Sequence, residues 1–150
     1  MGRLKDILTV AHERVQDLAL PYAGALTPRE AAEVLQLAPT AKIVDVRSQA
    51  EWEWVGRIPQ AIEIEWAGYP GMRPNPQFLQ ELQHAVTADD LLLFICRSGA
   101  RSHNAASVAA AAGFPACYNI LEGFEGDKDA NGQGNRIGGW RAAGLPWYQG

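Results

Sequence analysis

The sequence predicts an α/β fold, a sandwich with a mostly parallel central sheet flanked by helices. Strand-like and helix-like segments alternate along the chain, the order expected of parallel strands joined by helical crossovers. The run Leu91-Leu92-Leu93-Phe94-Ile95 is apolar without interruption, as in a strand covered on both faces. The 150 residues, 47% hydrophobic and 20% charged, suffice for one buried core, and no repeat interrupts them.

Leu4, Ile7, Leu8, Ala11, Val15 and Leu18 recur at helical spacing, with Lys5, Asp6, Glu13, Arg14 and Asp17 on the other face, so the chain opens on an amphipathic helix. Most such stripes cover their own core; a partner or a second copy is the alternative occupant. Residues 21–26 read as a connector. Thr27-Pro28-Arg29-Glu30 then combines a capping-box pair with proline at the first helical position, starting a helix that runs to about Leu37. The organisation is thus a helix and connector over residues 1–26 and a globular domain over 27–150. Residues 42–46 are short and β-branched, a strand, and 61–64 are a weaker strand beyond a turn at 56–60. Asn75-Pro76 opens a helix that ends near Val86. After the apolar strand, the alanine-rich residues 102–112 form a helix closed by Gly113, and 116–120 form the last strand. The glycine-dense stretch 123–139 is too long for a routine turn and reads as a surface loop near the site.

A formal net charge of −4 offers no positive field to hold nucleic acid or an anionic membrane surface. No stretch approaches the roughly 20 apolar residues of a membrane span, and the apolar run in the first ten residues is too short for a signal peptide. A soluble, cytoplasmic protein is expected. Two cysteines cannot build a disulfide framework, and without a Cys-x-x-Cys pair or a Cys/His cluster neither a metal site nor another cofactor is expected.

The chemistry concentrates after the apolar strand. Cys96-Arg97-Ser98-Gly99-Ala100-Arg101-Ser102 places a cysteine at the strand's carboxyl end, where ligands bind in α/β sheets, and a glycine-containing loop before a helix. Such a loop can curl so that successive N–H groups point inward and form an anion-binding nest at a helix N-terminus. The helix dipole and the guanidinium groups of Arg97 and Arg101 favour thiolate over thiol, which makes Cys96 the nucleophile. A buried structural thiol does not require two arginines, a glycine and two serines in the next six positions. Cys117 has no basic neighbour and reads as an inert core thiol.

These residues resemble a known family. Asp45-Val46-Arg47, Glu51-Trp52, Gly56-Arg57-Ile58-Pro59, Ala61-Ile62, the loop from Cys96 to Ser102, Ala112-Gly113-Phe114, Leu121-Glu122-Gly123, Trp140 and Gly144-Leu145-Pro146 follow one another as do the signatures of a single-domain, thiosulfate sulfurtransferase-like rhodanese. The resemblance implies a rhodanese-like three-layer sandwich and a sulfurtransferase. Cys96 would take a sulfane sulfur from a donor such as thiosulfate, hold it as a persulfide, and yield it to a thiol or cyanide. It also implies substrate binding by Arg97, Ser98, Gly99, Ala100, Arg101 and Ser102, with Asp45 and Arg47 as scaffold behind the site. The partners are then a small-molecule donor and acceptor, or a partner protein. Where the family commonly has Gly-His-Ile-Pro-Gly-Ala, this chain has Gly56-Arg57-Ile58-Pro59-Gln60-Ala61, and where the family has two glycines, Gly123 is followed by Phe124. These departures are expected at the rim of the site, where they bear on donor and acceptor preference.

Two competing readings are available. Phosphatases and arsenate reductases use a loop one residue longer, because a tetrahedral oxyanion needs a wider cradle, and only four residues separate Cys96 from Arg101. Phosphoryl transfer also needs an acid for the leaving oxygen, and none is assignable. A docking or sensing module without catalysis is the other reading, and such modules often lack the cysteine that this chain keeps.

Overall fold

The computed structural model describes residues 2–68, 71, 73–126 and 138–149. In chain order the elements are α1 (Gly2–Leu18), β1 (Gly24–Leu26), α2 (Pro28–Leu37), β2 (Ala41–Asp45), α3 (Gln49–Trp54), β3 (Ile62–Glu63), β4 (Ala67–Gly68), β5 (Arg73–Pro74), α4 (Phe78–Ala85), β6 (Leu91–Ile95), α5 (Ala100–Ala111) and β7 (Cys117–Ile120). Five strands form one parallel sheet in the order β1-β7-β6-β2-β3, and β4 and β5 form a separate antiparallel pair. The fold is the mostly parallel α/β sandwich that the sequence predicts.

The central strand β6 shows why an unbroken apolar run belongs here. Side chains of a strand alternate between faces, so Leu92 and Phe94 join one core with Phe78 and Leu82 of α4 and Ala105 and Ala109 of α5. Leu93 and Ile95 join the opposite core with Ile7 and Ala11 of α1 and Ala31 and Val34 of α2. Both faces are covered by helices, and the strand's carboxyl end opens between them.

The α1 stripe packs on the chain's own core, and polar residues pin the helix down. Arg14 donates to the Ala25 carbonyl and pairs with Glu30, and His12 hydrogen-bonds the Tyr118 hydroxyl at 2.8 Å. The capping box at α2 is present: Thr27 Oγ1 accepts from Glu30 N, and Glu30 Oε1 accepts from Thr27 N.

Three local expectations need correction. The connector at 21–26 contains β1, the edge strand that pairs with β7. Its Gly-Ala-Leu sequence carries no β-branched residue, and burial of all three residues decides its state. The helix expected from Asn75 begins at Phe78, because Asn75 Oδ1 accepts from Gln77 N in a local turn first. Helix α5 begins at Ala100 rather than Ser102, with Gly99 as its N-cap. Helix α3 is an element beyond those expectations, opened by a second capping box of Ser48 and Glu51. The surface-loop reading of 123–139 falls largely on residues 127–137, outside the described residues. Among the described residues no helix is long and apolar enough to cross a membrane.

Candidate active site

Strand β6 delivers Cys96 to the carboxyl edge of the sheet, and the turn to α5 wraps its sulfur. Gly99 takes φ +114°, a conformation that L side chains rarely adopt, and its N–H points at Cys96 Sγ from 3.1 Å. The Ser102 hydroxyl, one turn into α5, lies 3.3 Å from the same sulfur. Cys96 is 1% exposed and Ser102 is fully buried, whereas Ser98 and Ala100 face outward at the crest of the loop. The sulfur therefore sits at the floor of the turn, beside the Gly99 N–H at the start of a helix, a favourable place for negative charge.

The two arginines occupy different positions. Arg101 sends both terminal nitrogens to Glu51 of α3, at 2.6 and 2.9 Å. Arg97 is 39% exposed on its side chain and lies 3.4 Å from Glu125. Burial acts to raise the Glu51 carboxyl, yet the hydrogen bond and charge of Arg101, with the Ser48 amide and hydroxyl, hold it below the usual carboxylate range.

A second layer of backbone braces the loop from behind. Phe124 N donates to the Cys96 carbonyl at 2.8 Å and Glu125 N to the Arg97 carbonyl at 2.9 Å. Gly123 makes this approach possible: a Cβ there would stand 2.5 Å from the Arg97 carbonyl carbon and oxygen. The Phe124 ring is fully buried, with the Arg47 guanidinium 4.1 Å and the Arg141 guanidinium 5.2 Å from its centroid and Trp147 edge-on. The departure at Phe124 is therefore internal, contrary to its expected place at the rim. It fills a slot between cations and an indole.

Asp45 and Arg47 stand behind this brace rather than at the sulfur. Arg47, fully buried, donates to the Asp45 carboxylate from Nε and from Nη2, the latter at 2.7 Å, and Nη2 also reaches the Gly56 carbonyl at 2.8 Å. The Arg57 backbone exchanges hydrogen bonds with Tyr148, its guanidinium lies 3.4 Å from Glu63, and Gln60 takes φ +64°.

The sequence reading missed the partners of its own residues. The spacing of Glu51 from Ser48 is that of a capping box and could mark it, but its bond to Arg101 spans fifty positions. Asn119 carries no sequence signal beyond its strand, and its Oδ1 lies 2.6 Å from the Ser102 hydroxyl. The second cysteine, Cys117, is fully buried, and burial pushes its thiol up to about 12. Among the described residues no cluster of three or more His, Cys, Asp or Glu could hold a metal ion.

The model of the rhodanese-like domain family matches residues 27–130. An uncharacterised protein of Rickettsia prowazekii is 36% identical over 120 residues, covering 79% of this chain and 91% of that protein. A Candida albicans protein, adenylyltransferase and sulfurtransferase UBA4, is 27% identical over 100 residues, 67% of this chain and 22% of its own length. Among solved structures, Rv0390 from M. tuberculosis superposes with a TM-score of 0.79 at 44% identity, over 86% of this chain and 99% of that one. With the family model matching more than half of its length, and Cys96 at the mouth of a five-stranded parallel sheet, the chain belongs to the rhodanese-like domain family.

Proposed function

We propose that the protein is a sulfurtransferase that carries a sulfane sulfur as a persulfide on Cys96. The observation that carries this reading is the Cys96 sulfur at the floor of the 96–102 turn, with the Gly99 N–H 3.1 Å away and the Ser102 hydroxyl 3.3 Å away. Both donors favour negative charge on sulfur. The family and the sulfurtransferase named in the Candida relative support the same reaction class.

In the first half-reaction the Cys96 thiolate attacks the outer sulfur of thiosulfate. The Cys96–sulfur bond forms, the sulfur–sulfur bond of the donor breaks, and sulfite leaves with the electron pair. In the second, cyanide or a thiolate attacks the outer persulfide sulfur, and Cys96 leaves as thiolate. Cyanide thus yields thiocyanate, with no external oxidant or reductant. The Arg97 to Ser102 turn would hold the anionic donor and the charged outer sulfur through its N–H groups. Arg97, partly exposed beside Glu125, is the guanidinium that an arriving anion would meet. The donor is a small molecule or a partner protein, and the setting is cytoplasmic. Phosphoryl transfer is disfavoured because Arg101, whose fork would clamp a tetrahedral oxyanion, is engaged by Glu51.

Incubation with thiosulfate should add one sulfur, about 32 Da, to Cys96 by intact-mass and peptide measurement, and cyanide should remove it. If neither thiosulfate nor glutathione persulfide loads the protein, or if Cys96→Ser still transfers sulfur, the reading fails.

A further inference from the structure

Behind Cys96 the Ser102 hydroxyl belongs to a buried polar network whose Asn119 the two half-reactions leave unused. The Ser102 hydroxyl stands 2.6 Å from Asn119 Oδ1, 3.2 Å from the Gly99 carbonyl and 3.3 Å from Cys96 Sγ. A hydroxyl has one hydrogen to give, so these acceptors compete for it. Asn119 sits on β7 beside β6, is 4% exposed, and donates from Nδ2 to the Gly99 carbonyl at 3.3 Å, which orients its oxygen toward Ser102. The Tyr22 hydroxyl is 2.8 Å from His103 Nδ1.

We infer that Asn119 is a positioning residue for sulfur transfer, competing with Cys96 for the Ser102 hydrogen so that the hydroxyl serves the sulfur only while Sγ carries negative charge. The inference rests on the persulfide reading and deepens it. Beside a neutral Sγ the hydrogen goes to Asn119 Oδ1, the shortest of the contacts. Beside a thiolate the charge-assisted bond is roughly twice as strong as a neutral one, and the hydroxyl turns to sulfur. In the persulfide the negative charge sits on the outer sulfur, Sγ is neutral, and the hydrogen returns to Asn119. When the acceptor takes the outer sulfur, the sulfur–sulfur bond breaks with its electron pair on Sγ, and the Ser102 hydrogen swings onto the departing thiolate. This bond is absent from the persulfide and present as charge develops, which makes it accelerate discharge rather than tighten binding. The surrounding charges have partners of their own: Arg101 has Glu51 of α3, Arg97 has Glu125 behind the loop, and His103 has Tyr22.

The test is the pH profile of Cys96 alkylation by iodoacetamide, alongside the rate at which cyanide discharges preloaded protein. Ser102→Ala removes the donor to the thiolate, so its alkylation profile should move to higher pH. Its discharge rate should fall about ten- to a hundredfold, the loss of a hydrogen bond to a charged group. Asn119→Leu removes the competing acceptor and should move the profile the opposite way, to lower pH. In the Ser102→Ala background the same change should move nothing. Asn119→Ala carries the same expectations and is run in parallel, so a leucine variant that fails to fold does not remove the test. Shifts of one sign in both single variants, no shift in either, or a further shift in the double variant would overturn the inference. Alkylation needs no sulfur donor, so this result is read separately from the mass adduct on which the sulfur-carrier reading depends.

Discussion

Glu51 and Arg101 are joined by two hydrogen bonds, Nη1 to Oε1 at 2.6 Å and Nη2 to Oε2 at 2.9 Å, that tie the first turn of α5 to α3. The same carboxylate caps its own helix through Ser48, so one side chain fixes two elements at the mouth of the sheet. Glu51→Gln removes the charge that strengthens both hydrogen bonds to Arg101 and should cost on the order of 1–3 kcal/mol at pH 7 by urea denaturation. The pH dependence follows from the depressed Glu51 carboxyl. A group whose folded-state value lies below its unfolded value stabilises above the unfolded value, about 4.3 for glutamate, and loses that stabilisation as pH falls through the folded one. Wild-type stability should therefore decline on acidification below that range, and Glu51→Gln should flatten the decline. Glu30 retains part of the slope, since Arg14 and Thr27 hold its carboxyl down against the opposite push of burial. Parallel wild-type and variant curves would show that the depressed Glu51 carboxyl contributes no pH-dependent stability.

The two thiols should separate cleanly in the native protein. Burial alone pushes Cys117 up to about 12, so it carries essentially no thiolate at neutral pH. Iodoacetamide at pH 7 should label Cys96 and spare Cys117, as read by peptide mass, and both should react in urea. Labelling of Cys117 at a comparable rate in the folded chain would contradict this assignment.

What the sequence disclosed about the site was its covalent core, and what it withheld was its tertiary partners. Strand β6, the 96–102 turn and the α2 capping box are local patterns, in which neighbouring residues carry the whole signal. Helix α3 has only six residues and no room for helical periodicity, so Ser48 and Glu51 were its one available mark. Strand β1 is a strand because β7 pairs with it. Nothing in Cys117-Tyr118-Asn119-Ile120 announces that Asn119 meets Ser102, because parallel register alone sets β7 beside β6. Phe124 stood where glycine is usual, and only packing shows that its ring lies under Arg47.

Arg47 should matter more for stability than its distance from the sulfur suggests. It neutralises the buried Asp45, holds the Gly56 carbonyl and covers the Phe124 ring, and Phe124 N in turn holds the Cys96 carbonyl. Arg47→Met leaves Asp45 buried without a counter-charge and should cost about 3–5 kcal/mol by denaturant unfolding. Adding Asp45→Asn should restore part of that loss, since the uncompensated charge is then gone. A double variant no more stable than Arg47→Met would mean that packing on Phe124, not charge, sets the cost.

Gly99 and Gly123 both take positive φ within the site, but for reasons that substitution can tell apart. At Gly99, φ +114°, an added Cβ finds nothing closer than 3.9 Å, so Gly99→Ala meets only the conformational penalty, on the order of 1–3 kcal/mol. At Gly123, φ +64°, the Cβ would lie 2.5 Å from the Arg97 carbonyl and 2.6 Å from the Cys96 carbonyl oxygen. Those atoms are backbone, and they accept the hydrogen bonds from Phe124 and Glu125 that brace the loop, so they cannot give way without moving the sulfur. Gly123→Ala should therefore reduce sulfur loading by thiosulfate far more than Gly99→Ala does, and lower the melting temperature further. Equal losses in the two variants would show that conformation alone, and not the close approach of the brace, dictates glycine at position 123.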